Sequence, residues 1–241
     1  VKQWKKLHKK KEREATKTFL IEGFHLVEEA LKIDNLVEDI IISENETIPS
    51  NWKTDYVNLY SVPLEVLKSI SETETPQGIL AICRMQESFQ ENISLDSKVL
   101  MLDNVQDPGN VGTMIRTAEA AGMDLIVLGE GCADIYNGKV IRSTQGAMFH
   151  LPIVQGSLNE WVEKCKSKQI PVFGTALENG VSYTEVDSPK SFALIVGNEG
   201  KGMAKELLEK TDQNLYIPIY GKSESLNVGI AAGILMYYLR G

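Results

Sequence analysis

The chain has 241 residues, three cysteines and a formal net charge of −8. That length allows one or two domains with a substantial core. The cysteines (Cys83, Cys132, Cys165) are odd in number and far apart, which excludes a disulfide framework, and neither they nor His8, His25 and His150 give a metal-ligand spacing, so no metal is expected.

The charge is unevenly placed. Residues 1–17 carry eight Lys or Arg against Glu12 and Glu14, a net of +6, which leaves −14 on the remainder. A basic arm on an acidic body suits phosphate contact, and a solvated helix start explains it equally well. No apolar stretch follows the lysines, so no secretory signal is read. The longest apolar run, Val228 to Leu239, is too short to span a bilayer. A reduced, cytoplasmic protein is expected. Because the first residue is Val rather than Met, a few leading residues are expected to be missing.

In chain order, a basic amphipathic helix opens the sequence. Phe19-Leu20-Ile21-Glu22-Gly23 follows, then a helix with Phe24, Val27, Ala30 and Leu31 at helical spacing. Val37–Ile42 and Gly78–Cys83 read as strands, with a short helix at Pro63–Ser69 between them. This alternation predicts a small α/β domain over residues 1–84. Residues 85–97, polar with few large apolar side chains, read as a linker. From residue 98 the pattern becomes that of a parallel sheet. Val99–Leu102 and Leu125–Leu128 are continuous apolar runs, as strands buried on both faces should be. Between them Val111, Met114, Ile115 and Ala118 define a helix that stops at Gly122. Strands at Ile170–Gly174, Ala193–Gly197 and Leu215–Pro218 follow, and an apolar helix closes the chain.

Three segments carry chemistry. In Asp103-Asn104-Val105-Gln106-Asp107-Pro108-Gly109-Asn110 a buried strand turns into a helix, the place where open α/β sheets bind ligands. Asn110 is a candidate cap, and Arg116 on the following helix can grip a phosphate with two donors. In Val196-Gly197-Asn198-Glu199-Gly200-Lys201-Gly202 glycines allow backbone to approach a ligand. No Gly-Lys-Ser/Thr follows, so it is not a nucleotide-triphosphate loop. Nor is it the dinucleotide fingerprint, whose nearest approach is Gly129-Glu130-Gly131 with Asp at 134. In Ile217-Pro218…Ser225-Leu226-Asn227 a polar loop leads into the last helix, whose free N–H groups attract anions. Taken singly, each segment is also explained by an ordinary capping loop or tight turn.

Together, Asn110…Arg116, Gly197-Asn198-Glu199-Gly200 and Ile217-Pro218…Ser225-Leu226-Asn227 resemble, in order and wording, the three motifs of the SpoU/TrmH family of RNA ribose methyltransferases, in the SPOUT superfamily. Phe19-Leu20-Ile21-Glu22-Gly23 and Thr75-Pro76-Gln77-Gly78-Ile79 resemble that family's substrate-binding domain, which is related to a ribosomal-protein fold. The two resemblances span nearly the whole chain, and only Asn198 sits where the family varies.

The resemblance implies an α/β protein with a C-terminal SPOUT-type parallel sheet tied in a deep trefoil knot (98–241), a small N-terminal RNA-binding domain (1–84), and a homodimer. It implies S-adenosylmethionine as methyl donor and a ribose 2′-hydroxyl as acceptor, in ribosomal RNA rather than transfer RNA by analogy with the N-terminal domains of ribosomal RNA modifiers. The cofactor would be held by Thr175, Ala176 and Leu177 and by backbone around Gly197, Ile217 and Leu226. Arg116 takes the position of the catalytic arginine, either clamping phosphate and oxyanion or, deprotonated, acting as base. Ser225 and Asn227 would orient the phosphate or Arg116. Glu199 would pair with Arg116 or shape the cofactor loop. RNA contacts are expected from Lys5, Lys6, Lys9, Lys10, Arg13 and Arg116.

Two other classes compete. A nucleotide-binding oxidoreductase would need the missing fingerprint. A catalytically silent RNA-binding homologue would not need Asn110, Arg116, Ser225 and Asn227, which are all present.

Overall fold

A computed structural model describes residues 1–86, 93–177 and 179–241. The chain divides into two compact units, Val1–Glu87 with Asp134–Phe149, and Ser88–Ala133 with His150–Gly241. From the N-terminus come α1 (Lys2–Lys6), α2 (Lys10–Thr16), β1 (Thr18–Glu22), α3 (Phe24–Leu31), β2 (Val37–Ser43), β3 (Asn58–Val62), α4 (Leu64–Ile70) and β4 (Ile79–Arg84). Then follow β5 (Lys98–Leu102), α5 (Pro108–Ala120), β6 (Leu125–Leu128), α6 (Gly138–Thr144), β7 (Ile153–Gln155), α7 (Leu158–Ser167), β8 (Val172–Thr175), β9 (Val181–Ser182), β10 (Phe192–Val196), α8 (Lys205–Lys210), β11 (Gln213–Tyr216) and α9 (Val228–Arg240).

The first unit is built on a four-stranded sheet in the order β1-β4-β2-β3. Strand β4 runs antiparallel to β1 and β2, and β3 lies parallel to β2 at the edge. Ile41, Leu67, Ile70, Leu80 and Ile82 form a core together with Leu7. The single basic helix expected at the start is two short helices, because Leu7 turns inward and Arg13 donates to the Leu7 and His8 carbonyls at 2.8 and 2.9 Å, ending α1. Gly23 starts α3 with φ +100°, a backbone position that side chains rarely adopt.

The expected boundary at residue 98 assigns Asp134–Phe149 to the second domain, whereas this segment is compact with the first. Helix α6 packs on β1, the Tyr136 ring lies 4.7 Å from that of Phe19, and Asp134 accepts from Arg13 at 2.6 Å. A boundary read along the sequence cannot represent a chain that leaves a unit and returns to it. Part of the expected linker, 87–92, lies outside the described residues. Beyond it Ile93 is buried in the second core, and Ser94 donates its N–H to Ser97 Oγ.

The second unit has a seven-stranded sheet in the order β7-β6-β5-β10-β8-β11-β9, parallel throughout. Its central strands are buried on both faces, which explains their unbroken apolar runs. The chain moves outward from β5 to β7, then crosses to the far side and returns as β10. The carboxyl ends of β5 and β10 therefore sit in register, with Leu102 beside Val196. This is a topological switch point, where such sheets bind ligands. Among the described residues no helix is long and apolar enough to cross a membrane.

Candidate active site

Past the switch point the chain is folded back on itself. The Asp103 N–H donates to the Val196 carbonyl at 2.8 Å, and Asn104 turns at φ +56°. The Asn198 side chain donates to the Asn104 carbonyl at 2.8 Å and accepts from the N–H groups of Gly200 and Lys201, each at 3.0 Å. Backbone bonds join Asn198 to Gly202, and Asp103 Oδ2 accepts from the Ala204 N–H at 2.7 Å. The loop 197–203 is thus fixed to the end of β5. A Cβ on Gly197 would lie 2.2 Å from the Met203 nitrogen and 2.3 Å from the Gly202 carbonyl carbon, so only glycine fits there.

A chain of polar side chains ties the three loops together. Glu199 accepts from the Gln106 and Asp107 N–H groups at 3.3 and 3.1 Å and from Asn110 Nδ2 at 3.1 Å. Burial pushes this carboxyl upward, but the donors around it outweigh burial and hold it below the usual carboxylate range, so Glu199 stays ionised at neutral pH. Asn110 Oδ1 accepts from Asn227 Nδ2 at 2.9 Å. Asn227 Oδ1 in turn accepts from the Gly229 and Ile230 N–H groups at 2.9 and 3.3 Å, capping α9.

Three expectations change. The cap of α5 is Asp107, which accepts from the Asn110 N–H at 2.9 Å, and Asn110 is instead the link between loops. Glu199 pairs with Asn110 and loop N–H groups rather than with Arg116, because its two oxygens are already occupied by donors from the β5–α5 turn. Asn227 orients Asn110, not Arg116. Arg116 is exposed on α5 and has no hydrogen bond or ion pair among the described residues.

Beside this chain lies a cleft of about 510 Å3, inside the range of roughly 300–1,000 Å3 common for small-molecule sites. All six residues expected to hold a cofactor line it: Thr175, Ala176, Leu177, Gly197, Ile217 and Leu226. Glu199 and Ser225 line it as well. The sequence reading missed its apolar floor of Leu208, Leu215 and Leu235, whose side chains look like any core leucine on a helix or strand. It also missed Met203, whose sulfur accepts from the Thr175 N–H at 3.0 Å, and the loop-fixing pair Asp103 and Asn198.

Of the residues expected to meet RNA, Lys5, Lys6, Lys9 and Lys10 are exposed. Arg13 is not, at 5% exposure. Its guanidinium is used on two carbonyls and on Asp134, so it is a structural clamp of the first unit and not a phosphate contact. Arg13→Ala would leave Asp134 and both carbonyls without their donor. It is expected to destabilise the first unit by about 3–5 kcal/mol, the usual cost of removing one partner of a buried pair. Urea unfolding followed by circular dichroism checks this, and a loss within about 0.5 kcal/mol, as at an ordinary surface site, would refute the clamp.

A parallel sheet with a polar-linked cleft at its switch point, and a separate N-terminal unit that opens on a basic arm, define an α/β methyltransferase of the SpoU class. The chain belongs to the SpoU rRNA Methylase family, whose model matches residues 97–237, and the model of the MRM3-like substrate binding domain matches residues 1–81. It is accordingly an enzyme that uses S-adenosylmethionine. It is 54% identical to the 23S rRNA (guanosine(2553)-2′-O)-methyltransferase RlmP of Bacillus subtilis (strain 168), over 100% of this chain and 96% of that protein. An uncharacterized tRNA/rRNA methyltransferase of Synechocystis is 32% identical over 100% of this chain and 90% of its own length. The crystal structure of an AdoMet-bound rRNA methyltransferase from Sinorhizobium meliloti superposes with a TM-score of 0.89 at 30% identity, covering 99% of this chain and 93% of that one.

The cleft fits S-adenosylmethionine on its own terms. The leucine floor suits the flat face of adenine, the glycine loop brings backbone close, and the exposed polar rim suits the charged amino-acid end.

Proposed function

We propose that this chain methylates the ribose 2′-hydroxyl of a guanosine in 23S ribosomal RNA. The observation that carries this reading is the 54% identity with RlmP over 100% of this chain and 96% of that protein. Transfer RNA, the other candidate, is supported by the tRNA/rRNA designation of more distant relatives at 27–32% identity and by tRNA-modifying structural neighbours that cover 61% of this chain. Purified protein with tritiated S-adenosylmethionine is expected to label 23S RNA lacking the modification and not bulk transfer RNA. Label confined to transfer RNA would overturn the reading. The cytoplasmic location expected from the sequence belongs to the same proposal, as do the trefoil knot and the pairing of two copies. Ile230 and Tyr237, seven residues apart on α9 and more than half exposed, support the pairing.

S-adenosylmethionine supplies a methyl group already activated on a sulfonium. The protein has to align that group with the ribose oxygen and stabilise the charge that develops there. Thr175–Leu177, the Gly197 turn, Ile217 and Leu226 would hold the cofactor. Glu199, Asn110 and Asn227 hold the three loops in one geometry. Arg116 offers five N–H donors in a planar fork and no acceptor. In this reading it grips the RNA phosphate and steadies the oxyanion, and does not act as base. The Ser225 hydroxyl, exposed at the cleft, is a second donor for the phosphate.

The basic arm supplies the affinity that is independent of sequence. Replacing Lys5, Lys6, Lys9 and Lys10 by Ala is expected to weaken RNA binding and to lower the slope of log affinity against log salt by about 3. S-adenosylmethionine affinity should not change. An unchanged salt slope in filter binding would reduce the arm to a solvated helix.

A further inference from the structure

At the edge of the first sheet an exposed Tyr60 leans on Trp4, which itself packs on the core. Strand β3 pairs with β2 so that Ile41 lies beside Tyr60 and Ser43 beside Val62. Successive side chains of a strand alternate between faces, so Tyr60 shares with Val62 the face that Ile41 buries. On that face Trp4 of α1, Val62 and Val66 pack against the core of Leu7, Ile41, Leu67 and Ile70. The Trp4 and Tyr60 rings meet edge to face, 5.3 Å between centroids at 64°. Tyr60 is nonetheless 40% exposed, and its hydroxyl has no partner among the described residues. Tyr56 nearby differs, since its hydroxyl donates to the Leu31 carbonyl.

The charges on α1 are one-sided. Lys2, Lys5 and Lys6 of α1 are exposed and make no ion pair among the described residues. Among acids on the adjoining elements, Glu65 of α4 pairs with Lys68 at 3.0 Å and Glu14 of α2 lies 3.8 Å from Lys10, while Asp39 of β2 accepts from the neutral Asn58 amide at 3.0 Å and keeps its charge. An exposed aromatic face beside unpaired cations, on a chain otherwise acidic, is complementary to a polyanion that has flat apolar faces of its own. Bases of a duplex are already stacked and cannot reach such a face, so the complement is single-stranded.

We propose that Tyr60, braced by Trp4, is a stacking shelf for an unpaired base of the RNA substrate, with the lysines of α1 on the flanking phosphates. The proposal rests on the reading that the substrate is RNA. It adds a contact that reads the strandedness of the RNA, which the phosphate contacts of the arm do not.

The test uses the full chain with a short oligouridylate and an RNA duplex of the same length. Tyr60→Ala is expected to weaken oligouridylate binding on the order of tenfold with the salt slope unchanged, because no charge is removed. Tyr60→Phe, which keeps the ring, should bind like the parent. Oligouridylate should quench tryptophan emission, and Trp4→Phe should lose that quenching. Duplex bound as tightly as single strand by the parent protein overturns the shelf, as does polyglutamate competing as well as oligouridylate. Equal weakening by Tyr60→Phe and Tyr60→Ala also overturns it. Failure of the substrate reading is separable: it appears as absent methyl transfer to 23S RNA by the parent protein, whatever Tyr60 does to oligouridylate binding.

Discussion

Gly197→Ala is expected to abolish measurable binding of S-adenosylmethionine while Gly221→Ala leaves it intact. Both residues are glycines in loops at the cleft end of the sheet, but their surroundings differ. A Cβ at Gly197 would meet the Met203 nitrogen at 2.2 Å and the Gly202 carbonyl oxygen at 2.6 Å. These are backbone atoms, so no rotamer change relieves the contact. The turn has to open, which breaks the backbone pairing of Asn198 with Gly202 and moves Met203 away from the Thr175 N–H. Thr175, Gly202 and Met203 all line the cleft, so its shape changes with them. Overpacking of this kind costs about 1–3 kcal/mol in stability. The loss of affinity should be larger, on the order of 100-fold, if misplacing a ligand by an ångström costs what it does in catalysis. Around Gly221 no atom lies within 4 Å of the added methyl. Calorimetry with S-adenosylhomocysteine on the two variants checks the contrast. Equal affinities would mean that the Gly197 loop does not form the cofactor wall.

How far the sequence led depends on the range of the interactions involved. Strands β5, β6 and β10 were legible because burial on both faces forces unbroken apolar runs, a purely local signal. The cleft residues Thr175–Leu177, Gly197, Ile217 and Leu226 were reached through the family resemblance, and periodicity alone offered no reason to join three distant loops. The contacts that do join them, Asn227 to Asn110 and Asn110 to Glu199, span 117 and 89 residues. The α5 cap was misread although the sequence held the clue: proline favours the first helical position, so Pro108 marks Asp107, not Asn110, as the cap. Arg13 was counted as a surface charge. Its burial depends on Asp134, 121 residues away in a segment that returns to the first unit from beyond β6. Strand β3, exposed along most of its length and mixed in polarity, gave no apolar pattern at all.

Arg116→Ala is expected to fold and to bind S-adenosylmethionine normally, yet lose methyl transfer by a factor of roughly 100 or more, the usual consequence of removing a charge-stabilising donor. The helix does not need this side chain. Its buried stripe is Val111, Met114, Ile115 and Ala118, and Arg116 lies outside it. Exposed positions of that sort change stability by no more than about 0.5 kcal/mol. The cleft does not need it either, since Arg116 is absent from its lining. Arg116→Lys keeps the charge but loses the planar fork, so it should restore little. Glu199→Gln should act differently: it withdraws the carboxylate that holds the Gln106–Asn110 turn and should weaken cofactor affinity as well as rate. Because Glu199 and Arg116 share no partner among the described residues, the free-energy costs of the two changes should add to within about 0.5 kcal/mol in single-turnover methylation. Strong non-additivity would show that RNA binding draws the two side chains into one network. A near-normal rate for Arg116→Ala alone would remove the arginine from the chemistry and transfer the oxyanion role to Ser225 or to the substrate phosphate.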